Sequence, residues 1–351
     1  MLCLDVPFVT GGEYPPFLAK HGNALCSVYF SLHHPAMADA RQLMDTQDFT
    51  AMISGLSTLS DTPQYVLMNA RLHAPDKYFT AKNLDSTVRL LSELIDKTDI
   101  SGLIFSDAYY IQALSDAYPE VVKNLEAVPS VNALLDSADR AFAMLDMIAT
   151  TEFKPPSKLV LDRALNRDMK RLEKTVQRIR TAHPTIKLNL IANEGCLFEC
   201  PYKPTHDAHI ALVNEGLCGE RTFAMNRDFG CIRRLLSDPA AMLTSPFIRP
   251  EDTTYYEGLV DGIKLCGRNR GVDFLKQAIT AYLHKEYDGN LLDLMDAMGD
   301  LADQRIIPNA KLPDDFLKRV TTCSKDCRSC GWCADLSDDL ISRIDPELTT
   351  L

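Results

Sequence analysis

Residues 186–200 read IKLNLIANEGCLFEC, and this stretch decides the fold. Residues 187–192 form a short apolar-rich run bounded by turn residues, the pattern of a buried strand. The run leaves through Asn193, Glu194 and Gly195 straight into the pair Cys196-x3-Cys200. Working outward, similar short runs recur at 24–32, 65–70, 102–105, 128–131, 158–161 and 262–265. Longer helical patterns lie between them, at 35–52, 83–97, 110–116, 137–150 and 166–183. Strand and helix in alternation predict a parallel sheet covered by helices. Seven strands at this spacing suit a closed or nearly closed (β/α) barrel better than an open two-sided sheet. No glycine-rich turn follows the first strand, so the main signal of a dinucleotide fold is missing.

Chemistry in such a barrel gathers at the C-terminal ends of the strands. The residues expected there are His33 and His34, Asn69 and Arg71, Asp107, Asn132, Asp162 and Arg163, Asn193 and Glu194, and Arg268. Cys196 and Cys200 open the loop after the sixth of these runs, on the same face. From about residue 286 the pattern changes. We expect an amphipathic helix at 290–302, an extended linker at 304–313 and a cysteine-rich tail. The reading is therefore a barrel domain over 1–285 with a C-terminal extension, 286–351, docked on it.

At 351 residues, 46% hydrophobic and 24% charged, the chain has the composition of a soluble globular protein. No stretch approaches the ~18 consecutive apolar residues of a membrane span. The start, MLCLDVPFVTGGEYPP, lacks the basic end and long apolar core of a signal peptide, which predicts a cytoplasmic location. The net charge of −11 disfavours a nucleic-acid partner, since phosphate contacts need a basic face. It favours a small molecule or a peptide as substrate.

Four of the eleven cysteines fall in CSKDCRSCGWC, as Cys323, Cys327, Cys330 and Cys333. Thiolates at such spacing converge, and in a reducing compartment they signal zinc or an iron–sulfur cluster. Four soft ligands in so short a span fit a 4Fe–4S cluster more easily than a zinc ribbon built from two separated pairs. Around Cys196 and Cys200 the sequence continues to His206 and His209, too close behind for zinc-finger geometry. Cys231, in RDFGCIRR, is the best third thiolate, because neighbouring cations would stabilise it. Cys266 or Cys218, a tail cysteine, or an exogenous molecule could complete the set. Cys3 and Cys26 read as ordinary, Cys26 as a small buried hydrophobe. A radical-SAM motif needs C-x3-C-x2-C. It fails at Lys203, and the same spacing appears only in the tail.

Several segments together resemble the collagenase-like peptidase family. They are SVNALLDSADRAFAML (130–145), LVLDRALNRDMKRL (159–172), IKLNLIANEGCLFECPY (186–202) and SPFIRPEDTTYYEGLVDGIKLCGRNRGVDFLKQAITAYL (245–283). The resemblance spans roughly residues 128–285. It implies a TIM-barrel-like fold, with Cys196 and Cys200 in the family's central cysteine loop, Cys231 at a later cysteine, and Gly267 and Arg268 in its glycine–arginine turn. Cys266 stands where many members carry Glu, and the tail box is not part of the common pattern. Several relatives look like iron–sulfur enzymes that hydroxylate ubiquinone precursors or RNA bases without oxygen. The resemblance thus implies an oxygen-independent hydroxylase or related redox enzyme with one or two clusters. One would sit on Cys196, Cys200, Cys231 and a fourth ligand such as Cys266; the tail cysteines, by their own spacing and not by the resemblance, would hold another or complete the first. His206, His209 and Arg268, with Asn193 and Glu194, would orient substrate or carry protons, and an electron-donor protein is implied. The alternatives are a cysteine-type or metal-dependent peptidase, a radical-SAM-like enzyme and a zinc-stabilised binding protein. The Gly-x-Ser-x-Gly and His-Glu-x-x-His hydrolase motifs are missing.

Overall fold

The computed structural model describes residues 2–32, 34, 37, 39–40 and 48–344. His33 and most of the helical pattern expected at 35–52 lie outside the described residues. The helix that follows is Phe49–Ser57, capped by the Asp48 side chain.

Eight strands form one parallel sheet: β1 Cys3–Pro7, β2 Leu25–Phe30, β3 Gln64–Met68, β4 Ile100–Phe105, β5 Glu126–Pro129, β6 Lys158–Leu161, β7 Lys187–Ile191 and β8 Gly262–Lys264. Their order, β5-β4-β3-β2-β1-β8-β7-β6, leaves β5 and β6 at the two ends. The ends nearly meet. Lys154 bonds both Leu125 and Ala127 through its backbone, and Glu126 on β5 accepts hydrogen bonds from Ser157 N at 3.0 Å and Ser157 Oγ at 2.8 Å, just ahead of β6. The result is a TIM-barrel-like α/β fold.

Alternation along the strands separates two cores. Val6, Val28, Phe30, Val66, Met68, Leu103 and Leu188 face the helices. Tyr29, Tyr65, Leu67, Ile104 and Val128 form a separate cluster on the other face of the strands, inside the barrel. The same interior holds charge. Asp5 is fully buried, 3.1 Å from Lys158 Nζ and 3.3 Å from Lys264 Nζ, and accepts from Ser27 Oγ at 2.7 Å. Burial works to raise the Asp5 pKa, but the two lysines and Ser27 more than offset it and hold the carboxylate ionised. Burial also drives Lys264 down to about 8 against the pull of Asp5.

β1 is the strand that the sequence pattern did not disclose. It pairs with both β2 and β8. Its register corrects the reading of Cys3 and Cys26. Leu4 faces Leu25 but Asp5 faces Ser27, so Cys26 is the extra residue of a bulge beside Cys3. With Cα atoms 5.2 Å apart, the two form a disulfide, and Cys26 is not a free buried hydrophobe. Gly262, opposite Cys3 on β8, completes the arrangement. A Cβ there would lie 2.7 Å from Cys26 Sγ and 2.8 Å from Asn189 Oδ1. Gly262→Val is expected to destabilise the chain by about 1–3 kcal/mol through overpacking, read as a lower urea midpoint at unchanged slope.

Beyond β8, the helix Val272–His284 packs on the barrel. The amphipathic helix expected at 290–302 is replaced by two 3-10 turns, Leu291–Leu294 and Met298–Leu301. Leu291, Leu292, Leu294, Met295 and Met298 are all fully buried, and only Asp300 in 291–300 is exposed, so the segment lacks the continuous solvent stripe of an amphipathic helix. Its backbone bonds the β7 exit instead, Asp296 N to Asn193 O at 2.8 Å and Ala297 N to Glu194 O at 2.7 Å. The linker expected at 304–313 contains a short strand, Arg305–Ile306, paired antiparallel with Ser342–Arg343. The tail forms the helices Phe316–Thr322, Cys327–Cys330 and Trp332–Leu340. No helix among the described residues is long and apolar enough to cross a membrane.

Candidate functional site

The loop after β7 turns sharply twice. Gly195 has φ +74° and Glu199 has φ +48°, so each cysteine of the pair stands beside a left-handed residue. Glycine adopts that conformation freely; glutamate does so at a cost, and such strain concentrates at functional sites. A Cβ on Gly195 would also meet Met298 at 3.1 Å. The folded-back loop brings Cys196 and Cys200 to the wall of one cavity of about 570 Å³. Cys231, first residue of the helix Cys231–Ser237, reaches the same wall from a separate segment. His206, Asp296 and Asp300 line it as well.

Burial raises the pKa of all three thiols, Cys231 to about 11. Backbone N–H groups of Tyr202 and Lys203 point at the Cys200 sulfur and work the other way. The cations that act on Cys196 and Cys200 are Lys203, just past the loop, and Arg163, at the β6 exit. Burial works against the Arg163 charge, and Glu194 and Cys196 more than restore it. Arg163 Nε lies 2.6 Å from Glu194 Oε2. The arginines expected to serve Cys231 are engaged elsewhere. Arg227 pairs with Asp228, Arg234 pairs with Asp238, and Arg233 donates to the Asp228 carbonyl. Each meets an acceptor within its own surface segment, so none of the three lines the cavity.

A second, inner cavity of about 80 Å³ sits at the C-terminal mouth of the barrel. Glu194, Cys196, Lys203, His206, Lys264 and Arg268 are among its walls, with Asn69 and Asn132. Lys203 Nζ donates to Asn132 Oδ1 at 3.0 Å and pairs with Asp207 at 2.5 Å. Arg268 pairs with Asp39. Cys196 and His206 line both cavities, so the two adjoin at these side chains.

The remaining expected residues fall into place as follows. Cys266 lines only the inner cavity, its sulfur 3.3 Å from Asn193 Oδ1, and is not on the wall shared by Cys196, Cys200 and Cys231. Cys218 is exposed, 3.8 Å from His209 Nδ1, and His209 lies in an adjoining surface groove. Asn193 lines neither cavity. Its amide donates to Cys266 O at 3.0 Å and Leu294 O at 2.9 Å and accepts from Cys266 N at 2.7 Å, so it clasps β7, the β8 exit and the extension together. Asn193→Ala should cost about 1–3 kcal/mol of stability by leaving buried backbone groups unpaired, measured by chemical unfolding. Asp107 and Asp162 cap helices, and Asp107 also holds His73 Nδ1 at 2.9 Å. Lys203, Asp207 and Lys264 were not singled out by sequence. A lysine inside the apolar run GIKL was the available signal for Lys264.

Cys323, Cys327, Cys330 and Cys333 line a third cavity, of about 560 Å³, which shares no lining residue with the first. No group of three or more His, Cys, Asp or Glu side chains among the described residues stands close enough to grip a single metal ion.

No family model matches the chain. Over 230 residues it is 33% identical to an uncharacterized protease, MJ1657, of Methanocaldococcus jannaschii. The match covers 64% of this chain and 64% of that protein, so the chain spans less than two thirds of its relative's length. Among solved structures, that of the U32 peptidase Mk0906 aligns with a TM-score of 0.47 at 14% identity, covering 76% of this chain and 92% of the other. A thermostable mutant of a xylanase, Xyn10A from Cellvibrio japonicus, aligns with a TM-score of 0.34 at 10% identity, covering 76% and 86%.

Proposed function

We propose that the chain belongs to the collagenase-like, or U32, peptidase family and is one of its iron–sulfur enzymes. Its reaction is an oxygen-independent hydroxylation or a related redox modification of a small molecule or peptide. The observation that carries this reading is the gathering of Cys196, Cys200 and Cys231, from two segments of the chain, onto one cavity wall at the barrel mouth. The donor set fits the group: three soft sulfurs, two backbone N–H groups facing one of them, and a buried guanidinium close by. A cluster bound there supplies one-electron transfer and a Lewis-acidic iron. Three thiolates leave a position for an exogenous ligand.

The chain's own residues then have distinct tasks. The inner cavity is small, about 80 Å³, so it admits one end of a substrate and not a whole large molecule. Lys203, Arg268 and Asn132 present donors to oxygen atoms on that end. His206, on both walls, moves a proton between the substrate end and the cysteine cavity. Glu194 keeps Arg163 charged and fixed beside Cys196. The excess of acid over base favours a neutral or cationic substrate, and a redox reaction of this kind needs electrons from a donor protein.

A peptidase is the second reading, favoured by the name of the archaeal relative. A cysteine nucleophile must stand as a free thiolate, which burial opposes at all three thiols, whereas iron would displace the proton on binding. The test is to purify the protein without oxygen, strip half of it with a chelator, and assay both halves on a fluorogenic peptide mixture. We expect brown protein with matched iron and acid-labile sulfide, and no cleavage by either half. Cleavage by the stripped half that disappears in Cys231→Ala would replace this reading with the peptidase.

A further inference from the structure

The segment Arg163–Arg167 after β6 carries an arginine at each end. Arg163 serves the mouth, and Arg167 faces the tail cavity with Cys323, Cys327, Cys330 and Cys333. Arg167 is only 3% exposed. Its Nη1 donates to Leu243 O at 2.7 Å, but its Nε has no hydrogen-bond partner among the described residues. An unmatched buried guanidinium N–H costs free energy unless an anion faces it. The thiols on the same cavity wall become that anion once they are deprotonated.

The backbone agrees. Lys325 has φ +65° and Gly331 has φ +69°, so left-handed residues punctuate this loop between its cysteines, as they do at the mouth. Lys325 Nζ lies 3.5 Å from Cys323 Sγ. Trp332, half-buried, packs its ring on Phe316 at 6.1 Å and under Arg319 at 5.1 Å, which anchors the box to the rest of the chain. Cys323, Cys327 and Cys330 are exposed, so the site opens outward. A single zinc would need its four sulfurs about 3.8 Å apart, as its ~2.3 Å bonds require. Around a four-iron cluster each thiolate takes a different iron, and the sulfurs surround a body instead of a point.

We infer that Cys323, Cys327, Cys330 and Cys333 hold a 4Fe–4S cluster of their own, separate from the mouth site, with Arg167 as its buried counter-charge. A preformed 4Fe–4S unit delivered to the site would exchange its four outer ligands for the four thiols, each of which would pass its proton to water and bind one iron through sulfur. The helix Cys231–Ser237 lies between the two sites, giving Cys231 to one cavity and Arg234 to the other. With three of its four cysteines exposed, the tail site lies within reach of a donor protein.

The experiment counts iron and acid-labile sulfide in the full chain purified without oxygen, and reads the spin signals after dithionite reduction. Three variants accompany it: Cys327→Ala with Cys330→Ala, Cys196→Ala, and Arg167→Met. The double variant should lose about four irons and four sulfides relative to the parent, whatever the mouth holds. Cys196→Ala should keep those same irons and their signal. Arg167→Met should keep the iron count but move one signal's midpoint potential to a more negative value. Unchanged iron in a folded double variant overturns the inference, as does zinc in place of iron at the tail. Loss of all iron in Cys196→Ala would mean a single shared cluster and overturn it too. An unmoved potential in Arg167→Met removes the role of Arg167. If the double variant does not fold, the count in Cys196→Ala decides alone: about four irons support the inference and none refutes it.

Discussion

Cys231→Ala should remove as much iron and sulfide as Cys196→Ala, about four of each per chain, and abolish turnover, although the two residues lie in separate segments. The reason is geometric. Both side chains border the cavity at the barrel mouth, and Cys200 on the same wall acts on the charge of each. With one of its three protein thiolates removed, the cluster is expected to be lost on purification. Cys218→Ala, by contrast, should leave iron and rate unchanged, because that thiol is exposed and beside His209, off the cavity wall. Iron analysis and a visible spectrum of the anaerobic proteins read both results. Iron kept by Cys231→Ala would mean that its place on the wall is packing alone.

The second large effect concerns stability. Asp5→Ala should cost about 3–5 kcal/mol, and Asp5→Asn nearly as much. Two lysines then stand inside the barrel with no carboxylate between them. Lys264 is already held down to about 8 by burial with Asp5 present, and Lys158 is lowered as well. Without Asp5 both must lose their protons or admit water. Lys264 also packs over the Tyr29 ring, 3.1 Å from its centroid, and Lys158 over Tyr65 at 4.2 Å, so neither can leave without disturbing the interior cluster. Urea unfolding at neutral pH measures the cost. Lys158→Met combined with Asp5→Ala should recover part of it, because the uncompensated charge goes with the lysine.

The barrel was legible because parallel strands covered on both faces read as short apolar runs, and seven of the eight did so. β1 was missed because its five residues place a charge, Asp5, at the centre and end on Pro7. That charge belongs inside, where Lys158 and Lys264 answer it, and no local pattern announces partners so far along the chain. The bulge at Cys26 was invisible for the same reason, since a disulfide between neighbouring strands depends on register. The segment 290–302 misled in the opposite sense. Its leucines and methionines imitate a helical face, yet they are buried against the β7 exit at the barrel mouth. At the site, cysteine spacing disclosed the thiols, but not the cations that accompany them. Proximity in sequence suggested the arginines around Cys231. The fold instead supplies Arg163 and Arg167 from the two ends of one turn after β6.

The central claim is that Cys196, Cys200 and Cys231 hold iron and sulfide at the barrel mouth. The most direct measurement takes a variant with all four tail cysteines replaced by alanine, purified without oxygen, and determines its metal and acid-labile sulfide. We predict a brown protein with about four irons and four sulfides per chain, lost when Cys200→Ala is added. A folded, colourless protein free of iron and sulfide would contradict it.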